Sequence, residues 1–198
     1  MIKALSDLLI TALYTVFIQN LVLSMGLGLS ESIRVSTRPG IFVRIAVMIS
    51  GFSVVTSTVC SLIDSATAEM NFPYAARAAI YGGVLAAVYT VVATVLRFIF
   101  KADRKFLGTL GIAAFNTLVF AIPFIDHSAG YSLADSIGSG IGAGIAFVFA
   151  AALISKGSEM LEKNKDIPEI YKGTPAMFLY AGLLSLAFAG FSDTVFFS

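Results

Sequence analysis

Residues 8–30 read LLITALYTVFIQNLVLSMGLGLS, a run of 23 positions without one charged side chain. A helix rising 1.5 Å per residue needs about 20 residues to cross a hydrocarbon core of about 30 Å. Lipid offers the backbone no hydrogen-bond partners, so a crossing segment must satisfy its own amides and carbonyls. Leu8–Ser30 therefore reads as a membrane-spanning helix. It does not read as a cleaved signal peptide, because no small-x-small site with a polar continuation follows and Gln19-Asn20 interrupts the apolar run.

Five further stretches lack Asp, Glu, Lys and Arg altogether: Ile45–Ile63, Ala78–Leu96, Phe106–Ile125, Ser136–Ser155 and Gly173–Ser192. Each is 19 or 20 residues long. The 198-residue chain is 58% hydrophobic and only 13% charged, against about 25% charged in soluble domains, and its mean hydropathy is +0.90. The expected architecture is all-α and integral to the membrane, a single membrane domain of six transmembrane helices with the lipid bilayer as its first partner. No loop between the stretches reaches 20 residues, which leaves no room for a soluble catalytic domain. A net charge of +1 gives no basic excess for nucleic acid, and one cysteine (Cys60) with one histidine (His127) rules out zinc-type spacings and an internal disulfide. Cys60 reads as a small buried apolar residue. A nucleophile–base set is likewise missing, and His127 falls in a short connection.

Positive charge is unevenly distributed. Arg34, Arg38 and Arg44 follow the first stretch, Arg97, Lys101, Arg104 and Lys105 the third, and Lys156, Lys163, Lys165 and Lys172 the fifth, whereas the alternate side holds only Lys3 and Arg77. Cytoplasmic loops carry the Lys/Arg excess, so both termini are expected outside. Asp64, Glu69, Asp126, His127, Asp135 and Asp193 then gather on the outer side, either as a cation entrance or as the charges that the positive-inside bias leaves over. On this reading no carboxylate lies within a span. Ser158–Tyr171 reads as a short amphipathic extension of the fifth helix, ended by Pro168.

Amides sit deep in two spans, Gln19-Asn20 with Ser24 and then Gly26-Leu27-Gly28-Leu29-Ser30 in the first, Asn116-Thr117 with Pro123 in the fourth. Each opens a set of three helices, about residues 1–102 and 103–198, and two similar halves of three helices would be inverted relative to one another. In inverted repeats, interrupted first helices often meet at a midplane site. Gln19, Asn20, Ser24, Ser30, Asn116 and Thr117 thus form a candidate midplane polar site, serving either as interhelical hydrogen bonds or as a contact for substrate or a partner subunit. The run Gly138-Ser139-Gly140-Ile141-Gly142-Ala143-Gly144 lacks the Lys-Ser/Thr of a phosphate loop and reads as close helix packing through Gly138, Gly140, Gly142 and Gly144.

The last third carries Asp166-Ile167-Pro168, Lys172-Gly173 and then Ala181-Gly182-Leu183-Leu184-Ser185-Leu186-Ala187-Phe188-Ala189-Gly190-Phe191-Ser192. With Asn20-x-Val22-Leu23, Leu27-Gly28-Leu29, Val35-Ser36, Leu107-Gly108, Asn116 and Tyr131-Ser132-Leu133-Ala134-Asp135-Ser136, it resembles the Rnf/Nqr membrane-subunit family along essentially the whole chain. The resemblance implies two inverted three-helix repeats and residence in a bacterial inner membrane. It also implies pairing with a homologous six-helix subunit within an ion-translocating electron-transfer complex that has further subunits. The termini-outside topology resembles the RnfA/NqrE type rather than RnfE/NqrD. Members of the family place cysteines after the Leu-Gly-Leu motif and after the fourth-helix asparagine, as ligands of a shared [2Fe-2S] cluster. Here those positions are Ser30 and Thr117, and hydroxyls are poor substitutes for thiolates. The expectation is a divergent subunit with no intrinsic cofactor, non-catalytic by itself; the alternative is a small transporter of an ion or polar solute working by alternating access of the repeats. The charge count makes orientation testable: alkaline phosphatase fused at the C-terminus should be active and a green fluorescent protein fused there dark, and the opposite pair of results reverses the topology.

Overall fold

The computed structural model describes residues 2–36, 39–70 and 72–190. Arg38, the end of the sixth stretch at 191–192 and Asp193 lie outside these residues. All the regular structure among the described residues is helical. Five segments are long and apolar enough to cross a membrane: Ile2–Met25, Gly40–Ala66, Tyr74–Phe98, Arg104–Ser128 and Leu133–Lys163. The sixth apolar stretch forms a shorter helix, Thr174–Ala189.

Two of the spans are broken. The first consists of α1 (Ile2–Tyr14), a π-helical turn at Thr15–Gln19 and α2 (Leu21–Met25). The fourth is divided into α6 (Arg104–Ala114) and α7 (Thr117–Ser128). Between them run α3 (Leu29–Ser36), α4 (Pro39–Ala66) and α5 (Tyr74–Phe98), and the chain ends with α8 (Leu133–Lys163) and α9 (Thr174–Ala189). The segment after Ser30, expected as a loop, is thus helical: Ser32, Ile33 and Val35 of α3 are buried, and Ser155 Oγ of α8 donates to the Ser36 carbonyl at 3.1 Å.

α8 is the axis of the bundle and packs against α1, α3, α4, α7 and α9. Its glycines permit this. A Cβ at Gly142 would lie 2.6 Å from the Ala12 carbonyl oxygen of α1, and one at Gly140 would lie 2.7 Å from the Val54 Cα of α4. Likewise, Gly138 faces the Leu8 backbone and Gly144 faces Ser50. Backbones in such contact gain dispersion and exclude lipid where a larger residue would hold them apart.

The core sits around the broken spans. Leu21, Val22 and Leu23 of α2 and Leu118, Val119 and Ile122 of α7 are fully buried, packed with Ile45 and Ile49 of α4 and Phe147, Ala150 and Ala151 of α8. α5 lies at the periphery, burying only Tyr81 and Leu85. At its far end α8 stops at Lys163, five residues short of the proline expected to end it. Asn164 leaves the helical region (ψ 122°) and its Oδ1 accepts from the Asp166 amide at 2.9 Å.

Substituting Gly142 with Val should destabilise the protein by about 1–3 kcal/mol through overpacking. Gly83→Ala, where an added Cβ meets nothing within 4 Å, should be neutral or slightly stabilising. Thermal unfolding of the two variants in detergent measures the contrast, and equal melting temperatures would contradict the packing account.

Candidate functional site

The first break is made by one buried asparagine. Asn20 leaves the helix at φ 9°, ψ 76°. Its Nδ2 donates back to the Val16 carbonyl at 2.9 Å, and its Oδ1 accepts from the Leu23 amide at 3.2 Å. One side chain thus closes the end of the preceding turn and caps α2. Ser24 Oγ sits between the carbonyls of Gln19 (2.5 Å) and Asn20 (2.9 Å), supplying a hydrogen to backbone that the break has exposed. α2 then ends at Gly26 (φ 70°), and Gly28 (φ 75°) turns the chain into α3; a side chain at either position would be strained.

The second break follows the same chemistry. Phe115 leaves α6, Asn116 is extended (φ −73°, ψ 141°), and its Oδ1 caps α7 by accepting from the Leu118 amide at 2.8 Å. The two breaks meet at this point. The Gly28 amide donates to Thr117 Oγ1 at 2.9 Å, and a Cβ on Gly28 would come within 2.9 Å of Asn116 Oδ1.

The candidate residues separate by role. Asn20, Asn116 and Ser24 spend their polar groups on adjacent backbone, and Thr117 ties the two breaks together. Gln19 is half-buried with Oε1 unpartnered. Ser30 is exposed in the first turn of α3, and Thr117, although bonded to Gly28, keeps an exposed surface. Exposed Met25 and Phe115 flank the same contact.

A second polar region occupies the opposite end from the Lys/Arg-rich loops, and here the sequence reading needs correction. Asp64 belongs to α4, Asp126 and His127 to α7, and Asp135 to α8; none is a loop residue. Asp64 accepts from Arg77 at 3.0 Å and from the Tyr81 hydroxyl at 2.6 Å, and His127 Nδ1 lies 3.4 Å from it. Asp135 completes a capping box with Ser132 and accepts from Thr11 of α1 at 2.8 Å. Asp126 is buried within the fourth span, so a carboxylate does lie inside the membrane helices. A larger groove of about 620 Å³ between α4 and α8 is lined almost wholly by aliphatic residues and Phe42, and offers no charged group to a ligand.

Residues 8–195 match the family described as Rnf-Nqr subunit, membrane protein. The chain belongs to the Rnf-Nqr family. Among its relatives, one component of the ion-translocating oxidoreductase complex of Rhodobacter capsulatus is 30% identical over 192 residues, spanning 96% of this chain and 99% of the relative. A component of the Na(+)-translocating NADH-quinone reductase of Pseudoalteromonas translucida is 30% identical over 189 residues, 89% of this chain and 93% of the relative. A component of the Na(+)-translocating ferredoxin:NAD(+) oxidoreductase complex of Acetobacterium woodii is 26% identical over 182 residues, 89% and 92% of the two chains.

The [2Fe-2S] cluster that the Rnf-Nqr resemblance implies does not fit the residues present. Such clusters need thiolates, or imidazoles in one variant. The two positions offer hydroxyls, one of which already accepts an amide. Cys60 is buried in α4, away from both breaks in the chain, and His127 lies at the Asp64 end. Among the described residues no group of three metal-ligating side chains gathers.

Thr117→Val, which removes the acceptor for the Gly28 amide, should cost about 1–3 kcal/mol, whereas Thr117→Ser, which keeps it, should cost far less. Thermal unfolding of both variants decides; equal destabilisation would show that the methyl group, not the hydrogen bond, matters.

Proposed function

We propose that this chain is a membrane subunit of an ion-translocating oxidoreductase complex that acts without an iron–sulfur cluster of its own. The observation that carries this reading is a family match across nearly the whole chain combined with hydroxyls at both positions where the resemblance calls for thiols. Relatives named as subunits of such complexes support the assembly. The two inverted repeats, 1–102 and 103–198, would form one wall of the assembly, and a homologous six-helix subunit would cover the other side of the breaks.

The exposed surface at the breaks supports that pairing. The polar residues Ser30 and Thr117 are exposed, as are apolar Met25 and Phe115, and an isolated chain would present them to lipid. Burying such a surface against a second helical subunit removes the polar groups from hydrocarbon. The basic loops support residence in a bacterial inner membrane with both termini outside.

A second reading, a small transporter working by alternating access of the repeats, is favoured by the polar region around Asp126 and by the interrupted helices. Purification from native membranes separates the two. The subunit reading expects redox subunits to accompany the chain, with no absorbance or paramagnetic signal that is lost in Ser30→Ala or Thr117→Val. A cluster signal that depends on either residue would overturn it, and a chain that purifies without redox partners and moves an ion or solute in proteoliposomes would favour the transporter.

A further inference from the structure

At the Asp64 end of the bundle, α4, α7 and α8 enclose a cavity of about 250 Å³ whose wall includes Asp126, Ser57 and Ser136. Asp126 is only 4% exposed, and a buried carboxylate is costly unless it is paired and fully hydrogen-bonded. It is not paired. Among the described residues no Lys, Arg or His forms an ion pair with it, and Arg77 is engaged with Asp64. Oδ2 has Ser57 Oγ as its partner, and Ser139 Oγ also faces the carboxylate.

The surrounding groups supply hydrogens but no charge. Ser57 Oγ lies within hydrogen-bonding reach of two acceptors, Asp126 Oδ2 and the Ser136 carbonyl, the latter at 2.8 Å. A serine hydroxyl has one hydrogen. The Ser136 carbonyl already belongs to the hydrogen-bond ladder of α8, so the Ser57 hydrogen is free for Asp126, but hydroxyls are neutral and leave the carboxylate without a counter-charge. Two more oxygens stand by. Ser136 and Ser139 are 1% and 0% exposed; Ser136 Oγ has no partner and Ser139 Oγ faces Asp126, and three residues apart on α8 they lie on the same side of that helix.

We propose that this cavity binds a sodium-sized monovalent cation against Asp126, with the hydroxyls of Ser57, Ser136 and Ser139 as neutral oxygen ligands. The donors are hard oxygens, which suits alkali and alkaline-earth cations over transition metals. One carboxylate balances one charge. A divalent ion would leave the buried site with an excess positive charge, and calcium sites draw on several carboxylates. Asp64 lines the same cavity and offsets Arg77 there, so the approach is not guarded by an unopposed cation. The site is separate from the helix breaks and does not depend on what occupies them.

The test is thermal unfolding of the full chain, with any subunits that accompany it, in sodium, potassium and choline chloride at equal ionic strength and fixed pH. Sodium should raise the melting temperature by about 5 °C at saturation, with choline giving no shift. Ser139→Ala should raise the half-saturating sodium concentration about tenfold, and Asp126→Asn should abolish the response. The same melting temperature in all three salts, or a sodium response that survives in Asp126→Asn, overturns the proposal. If Asp126→Asn does not fold, line broadening of the sodium-23 resonance by the wild type and its reduction in Ser136→Ala and Ser139→Ala provide the decision. A site satisfied by a proton alone would show no sodium dependence and would count against it. Co-purification of redox subunits is scored in the same preparations, so failure of assembly and failure of cation binding are told apart.

Discussion

Everything else in the structure rests on how closely α1 and α4 approach α8. Hydrocarbon rewards no particular apolar contact between helices, so lipid-embedded helices associate by shape. The glycine positions of α8 supply that shape on two sides, Gly138 and Gly142 toward α1 and Gly140 and Gly144 toward α4. A three-helix unit held at backbone contact is rigid enough to carry elements that could not stand alone. α2 has five residues and α7 twelve, too short to cross the membrane and too short to be stable as isolated helices. Both nonetheless bury residues completely, Leu21 and Val22 in α2 and Leu118, Val119 and Ile122 in α7.

Breaking a helix inside a membrane frees amides and carbonyls that water cannot reach, and each must find a partner. The two breaks meet this demand locally. Asn20 serves both sides of its break, Ser24 serves the carbonyls, and Asn116 caps α7. Only the Gly28 amide is served from a distance, by Thr117. That bond couples the breaks: moving one half-helix would strip an amide on the other. Around Asp126 what is lacking is charge: hydroxyls face the carboxylate, and among the described residues no cation pairs with it.

The spans were legible because charge and lipid do not mix, and the breaks were legible because an asparagine in mid-span has few other uses. What the sequence hid came from where a helix ends. Asp126 follows directly on an uncharged stretch, and drawing the boundary at Ile125 placed it in a loop. Helical periodicity pointed the other way: Val119, Ile122 and Asp126 are three and four residues apart, on the stripe that α7 buries. In α4 the buried positions Ile49, Ser53, Thr56, Ser57 and Cys60 continue one face from apolar into polar residues. Two stripes that turn polar at the same end of the bundle were the signal for the cavity, but pairing them required knowing that α4, α7 and α8 are neighbours. α3 was hidden because Glu31 and Arg34, which form an ion pair one turn apart, look like loop charges to a count.

Thr117 shows why the loss of a thiol need not loosen the fold. By resemblance, the position after the α7 asparagine holds a cysteine whose sulfur is committed to iron. A cluster bridging two breaks also ties them together, through bonds far stronger than a hydrogen bond. Without it the two broken spans need another tie, and a hydroxyl oxygen is a better acceptor for an amide than a neutral thiol. The 2.9 Å bond from the Gly28 amide uses that property. If the resemblance holds at this position, oxygen in place of sulfur would exchange a redox ligand for a structural one and keep the junction of the two breaks intact. Ser30, on the exposed first turn of α3, has no such structural duty toward α7, which leaves its hydroxyl to the surface that a neighbouring subunit would cover.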